Sequence, residues 1–176
     1  MPRIELELSP VDHITCDAIG SPGQRVFYIQ GKKEQEVVTL ILEKFQLQSL
    51  SVGIETFLSE IAQRFPDLPA ASAEYEASVM KIIPPVEPLF RIANIELGYN
   101  FDDDLAILII QELLPETSEE EPGSVRYWCT RSQLRSFGLW GFNVVSGGRP
   151  VCPQCGQPEE PEGHFCSKKN GGHKRD

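Results

Sequence analysis

Two stretches decide how the fold is read: "LEKFQLQSLSVGI" at residues 42–54 and "CTRSQLRSFGLWG" at residues 129–141. Each carries a basic residue (Lys44, Arg131), then x-Q-L-x-S, then a large apolar residue (Leu50, Phe137). Each also follows an apolar run of strand character, "VVTLILE" before the first and "VRYWCT" before the second. In the first, the period then changes from two to 3.6. Leu47, Leu50, Ile54, Phe57, Leu58, Ile61 and Phe65 make one stripe, as an amphipathic helix packed on a sheet requires. Pro66 and Pro69 stop it. In the second, Thr130 and Gln133 have capping-box spacing. The pattern is a hairpin-plus-helix unit occurring twice. It predicts an α+β fold, with two helices packed on a mostly antiparallel sheet.

Outward from these anchors, short strands dominate the first third: "RIELEL", "HITCDAIG" after Ser9-Pro10, and "QRVFYIQGKK" after the turn signal "SPG". In "VVTLILE" both faces are apolar, so this strand is expected to be central and covered on both sides. Residues 66–88 carry five prolines and read as a long surface connection, with a short helical turn near "AEYEASV". A second β group follows: "LFRIANIELGYN", a turn at "FDDD", then "LAILIIQELL" and the acidic loop "PETSEEEPGS". The organisation expected is an α+β domain over residues 1–148 and a small appendage over 149–176.

Hydrophobic residues make up 40% and charged residues 24% of the 176, which is enough apolar material for one real core. The net charge of −10 argues against broad nucleic-acid binding, because a polyanion is repelled unless a local basic patch compensates. The concentrated basic patch is Lys168, Lys169, Lys174 and Arg175. No apolar run approaches the ~18–20 residues of a membrane span, and the first residues lack a signal-peptide core. Five cysteines, an odd number, suit a reducing compartment better than a disulfide framework, so a cytoplasmic protein is expected.

Three of those cysteines cluster with a histidine in "CPQCGQPEEPEGHFCSKKNG", residues 152–171. Two residues between Cys152 and Cys155 let both thiolates reach one ion from a tight turn, which Pro153 stiffens and Gly156 lets the chain leave. His164 and Cys166 are two apart, so an extended segment points both the same way. Three thiolates and one imidazole suit tetrahedral Zn²⁺, with His173 a distant substitute for His164. Four protein ligands leave no open position for water or substrate, so the predicted zinc is structural. The stretch is too small for its own core, and the ion would fold it as a zinc knuckle.

Other residues invite chemistry less convincingly. His13 and Cys16 lie three apart on a strand and so face opposite ways, which leaves Cys16, like Cys129, a small buried hydrophobe. "GSPGQR" lacks the Lys-Ser/Thr of a P-loop and leads into a strand, so a hairpin turn is expected, with anion binding by Arg25 left open. Asp102, Asp103 and Asp104 read as a solvated turn with too few ligands for calcium. Trp128 and Trp140 read as core or interface aromatics.

On "GSPGQRVFYIQ", "LEKFQLQSL" and "GRPVCPQCGQPEEPEGHFCSKKNG", the chain resembles a bacterial family, domain-of-unknown-function family 3090. That resemblance implies no activity. It does imply a terminal zinc-knuckle-like motif on Cys152, Cys155, His164 and Cys166. The leading expectation is a non-catalytic zinc protein that binds another macromolecule, most readily a protein. The alternative is an enzyme or small anionic-ligand protein, its pocket between the two halves and Arg25, Arg91, Arg126 or Arg131 meeting the anion. A weaker alternative is nucleic-acid binding through the basic tail. Metal analysis should find zinc in the wild type and little in a Cys152→Ser, Cys155→Ser variant. Chelation should leave the far-ultraviolet circular dichroism nearly unchanged; a metal-free wild type would refute the assignment.

Overall fold

The computed structural model describes residues 3–147 and residue 154. In chain order the elements are β1 (Glu5–Leu8), β2 (His13–Ile19), β3 (Val26–Lys33), β4 (Glu36–Leu42), α1 (Lys44–Arg64), β5 (Pro88–Asn100), β6 (Leu105–Glu112), β7 (Ser124–Cys129) and α2 (Arg131–Ser146), with a 3₁₀ turn at Ala77–Met80. Every strand and both helices expected from the pattern are present. The expected knuckle, and the division proposed at residues 148/149, lie outside the described residues.

Both helix starts are held by a glutamine three residues past the N-cap. The Glu43 N–H donates to Gln46 Oε1 at 2.7 Å and the Thr130 N–H to Gln133 Oε1 at 2.9 Å. In α2 the reciprocal bond, from Gln133 N–H to Thr130 Oγ1, completes the capping box at 3.0 Å. Each glutamine uses its amide nitrogen on a second task. Gln46 Nε2 donates to the carbonyls of Ile92 and Ala93, in β5, and Gln133 Nε2 to those of Val11 and Asp12, at the entry to β2. Each helix thus grips the beginning of the other half's three-strand run. That double use explains why x-Q-L-x-S occurs at both starts.

The seven strands form one sheet in the order β1-β7-β6-β5-β4-β3-β2. Two antiparallel runs, β2-β3-β4 and β5-β6-β7, join through a parallel β4–β5 contact, and β1 adds parallel to β7. Four of the six pairings are antiparallel, as expected, and the two parallel ones make the sheet mixed. The cause is connectivity: α1 carries the chain back so that β5 starts beside β4 in the same direction.

β1 and β2 are the two end strands, yet only Ser9–Asp12 separate them. Flat, a seven-stranded sheet would place its ends about 29 Å apart, at ~4.8 Å per strand. Five Cα steps reach only about 17 Å. The sheet must roll up, and it does. Val11 N–H donates to Trp128 O of β7 and Asp12 N–H to Lys32 O of β3, so adjacent residues tie the two ends together. Across the rolled interior Tyr127 of β7 reaches the opposite wall, where its hydroxyl donates to Val38 O at 2.9 Å. Its ring occupies the space above Gly31, where any β-carbon would overlap it. Leu8, Ile14, Ile29, Leu40, Leu108, Ile110 and Val125 complete this fully buried interior.

The helices run antiparallel in close contact, since Gly138 meets Ile54 and Gly141 lies against Ser51. The outer face of β2-β3-β4 is polar at Thr15, Gln30 and Thr39, and the segment around residues 80–83 covers it. Thr15 Oγ1 donates to Met80 O, and Ile82 N–H to Asp17 Oδ2. The Gln30 amide accepts from Ile83 N–H and donates to Ile83 O, as a neighbouring strand would. The proline-rich connection, expected to be a surface loop, is at this point a cover for the sheet, with Met80 buried.

Gly31→Ala should cost about 1–3 kcal/mol, because overpacking forces Tyr127 off the wall. Urea midpoints should show Tyr127→Leu recovering part of that loss when combined with it, which independent sites would not do.

Candidate functional site

The groups that looked reactive are buried or already engaged. Cys16 and Cys129 are free thiols with no exposed surface. Burial pushes both up, Cys129 to about 12 and Cys16 further, so neither offers a thiolate nucleophile at neutral pH. Cys16 points toward Phe137 O of α2, whereas His13 lies near Val79 with Lys32 as its cross-strand neighbour. They do not meet, as strand geometry required. His13 is held below its ordinary pKa, chiefly by burial, with Lys32 adding and a Val79 main-chain contact opposing. Its Nε2 is buried without a hydrogen-bond partner among the described residues.

The four arginines proposed for an anion do not converge. Arg25 donates to Val144 O and Val145 O, neutralising the last carbonyls of α2, and so serves as a helix cap where anion binding had been left open. Arg91 pairs with Glu43 at 2.7 Å. Arg126 lies beside Glu7 on the outer face, in a shallow depression with Arg3 and Glu5. Arg131 lines a cleft of about 310 Å³ with Arg135, Glu55, Pro66 and residues 68–71. Its guanidinium is already held by Asp104 at 2.7 and 3.1 Å and by Pro69 O. Asp102 and Asp103 are exposed turn residues, as expected, and the same bonds correct the reading for Asp104 alone. Asp104, at φ 49°, also accepts from the Tyr99 hydroxyl, and the Arg131 guanidinium keeps its carboxyl below the usual range. Arg131 ties the β5–β6 turn to the start of α2. Both tryptophans are structural: Trp140 is buried, and Trp128 donates to Glu7 on the outer face.

The open feature is a groove between α1 and β5, about 400 Å³, lined by Phe45, Gln46, Leu50 and Gly53 on one wall and by Ala93, Ile95 and Leu97 on the other. Helix and strand are clamped at both ends. Gln46 holds Ile92 and Ala93 at one end, and Phe65 stacks on Phe101 at 4.4 Å, with Tyr99 beside it, at the other. Between the clamps the strand is paired on one side only: β4 meets β5 at Pro88 and Arg91, while β6 accompanies it from Ile92 to Asn100. Phe45, 67% exposed, stands at the groove's mouth. At Gly53 an added β-carbon would meet nothing within 4 Å. Sequence reasoning missed this site. Two signals were available: a thirteen-residue strand beside a seven-residue one, and a glycine inside a helix where it costs about 1 kcal/mol relative to alanine.

Among the described residues no group of three or more His, Cys, Asp and Glu could hold a metal ion. The predicted zinc ligands Cys152, Cys155, His164 and Cys166 lie outside those residues. No helix among them is long and apolar enough to cross a membrane. A family model described as "Protein of unknown function (DUF3090)" matches residues 6–166. No curated protein and no solved structure matches.

Because folding lowers the His13 pKa, the unfolded chain binds the proton more readily. Stability is therefore full above about pH 6.5 and falls as pH drops below it toward the folded value. Urea unfolding at pH 7 and pH 5 should show this loss in the wild type, and a smaller one in His13→Gln.

Proposed function

The chain belongs to the DUF3090 family, and within that family we propose a non-catalytic, zinc-holding, cytoplasmic protein that works by binding another protein. The observation that carries this reading is the contrast between the chain's reactive groups and its open surface. The described thiols are sealed in the core, and three of the four candidate arginines, Arg25, Arg91 and Arg131, are bonded to carboxylates or carbonyls. An apolar groove with an exposed aromatic at its mouth faces solvent. Apolar, concave and lined by few charges, it suits a protein side chain better than an anionic metabolite. The separation of the four arginines counts against the small-anion alternative, and the net charge of −10 against nucleic acid.

Zinc remains part of the proposal on the strength of ligand spacing. Cys152, Cys155, His164 and Cys166 make a closed four-ligand set, suited to holding shape and not to activating water. The adjoining Lys168, Lys169, Lys174 and Arg175 would give that element a basic contact surface on an otherwise acidic chain. The odd cysteine count and the free thiols at Cys16 and Cys129 support a reducing setting.

Affinity capture from the native host, with nuclease treatment, is the test. Wild-type chain should retain specific protein partners, and Cys152→Ser, Cys155→Ser should lose those that contact the zinc element. Retention of nucleic acid alone, or a thermal shift with anionic metabolites and no protein partner, would overturn the reading.

A further inference from the structure

Counting from the shared glutamines Gln46 and Gln133, Gly53 of α1 stands where Trp140 stands in α2. The two positions do opposite things. Trp140, 8% exposed, packs into the contact between α2 and β2, and its indole N–H donates to Cys16 O at 2.7 Å. β2 is an end strand, so this bond satisfies a carbonyl on the sheet's free edge. Counting strand residues from the carbonyls each glutamine grips, Cys16 corresponds to Leu97, a lining residue of the α1–β5 groove. At Gly53 the plug is missing. Beside the unpaired edge of β5 lies a space of tryptophan-like purpose that no residue of the described chain fills.

We propose that the α1–β5 groove takes one extended peptide segment of a partner protein, which adds to the free edge of β5 as a further strand. This rests on the protein-binding reading and names its site. An occupant must supply what Trp140 supplies on the other side: main-chain-directed N–H groups and an apolar body. An extended peptide does both, its alternate amides and carbonyls meeting those of Asn94–Asn100 that point away from β6. Its alternate side chains would meet Phe45, Leu50, Ile95 and Leu97. Charge selects the flanks. The β6–β7 loop carries exposed Glu116, Glu119 and Glu120, and it leaves β6 where Leu113 N–H bonds Arg91 O, beside the Ala93 end of the groove. With the net charge of −10, this favours a segment with basic residues outside its apolar positions.

Two other occupants fit less well. A second copy would have to bring its β5 edge, together with the α1 beside it, into a groove already walled by α1. The chain's own residues 148–176 do carry Lys168, Lys169, Lys174 and Arg175, but their prolines at 150, 153, 158 and 161 cannot donate to a strand edge, and residues 167–176 alternate no apolar side chains with those charges.

The test begins with amide hydrogen exchange on the full-length chain. The outward-pointing alternate amides between Asn94 and Asn100 should exchange fast in the free protein. A displayed library of nine-residue segments, apolar at alternate positions with Lys or Arg at the ends, is then selected on the wild type. A selected peptide should slow those amides. Its affinity should fall about tenfold or more on N-methylation of its edge-facing amides, the loss of one such bond. Gly53→Trp and Gly53→Leu should abolish binding while unfolding at wild-type urea concentrations or above; the second keeps the test valid should the first fail to fold. Slow exchange of all these amides in the free chain, protection that grows with protein concentration alone, or equal peptide binding by the Gly53 variants would each overturn the proposal. Partners captured from the host that survive Gly53→Trp would sink the groove but leave the protein-binding reading intact. Capture of no partner by the wild type would sink that reading instead.

Discussion

Closure of the sheet through four residues is the constraint on which the rest of the molecule depends. Ser9–Asp12 must connect strands at opposite ends of a seven-stranded sheet, and a flat sheet is too wide for them. Rolling brings β7 against β3 and β4, and only then can Tyr127 span the interior to Val38. The contact also requires Gly31, because any side chain there would take the space of the tyrosine ring. The antiparallel helix pair packs on the rolled sheet, α2 along β2 and α1 beside β5. Gly138 and Gly141 let the two helices approach closely enough to do so.

The two halves are locked by reciprocal bonds. Gln46 and Gln133 each close a helix start and each hold the other half's first strand, so neither helix can shift without loosening the opposite run. These bonds lie at the edge of the core, part-buried to Ile92 and Val11 and exposed to Ala93 and Asp12, so each contributes on the order of 1 kcal/mol and their role is to set register. The equivalence ends two turns further along each helix. Trp140 seals its groove and satisfies an edge carbonyl, whereas Gly53 leaves its groove empty. A glycine inside a helix lowers stability, so its presence at the wall of an open groove sets packing aside for access.

Much of the architecture was legible in the chain because it follows from local periodicity. The switch from period two to 3.6 after Leu42 and the stop at Pro66 place the first helix within a residue or two at both ends, and the capping-box spacing of Thr130 and Gln133 places the start of the second. The matching x-Q-L-x-S starts led correctly to two related halves. The two parallel contacts were not legible, since nothing local marks a strand that meets its neighbour parallel within a mostly antiparallel sheet. Nor was the fate of the arginines. Whether Arg25 faces an anion or the end of α2 depends on where a helix more than a hundred residues away finishes.

The sequence by itself determined the elements, the buried character of Cys16 and Cys129, and a ligand spacing at Cys152, Cys155, His164 and Cys166 that speaks for zinc. These are properties of residues close together along the chain, where spacing translates directly into geometry. Tertiary structure alone decided that the sheet rolls, that Asp104 is a tie and not a solvated turn, and that a groove stands open beside β5. The physical reason is the same in each case. Each depends on which groups from distant segments satisfy or exclude one another, and the open groove exists because one position of a matched pair holds a glycine where the other holds a tryptophan.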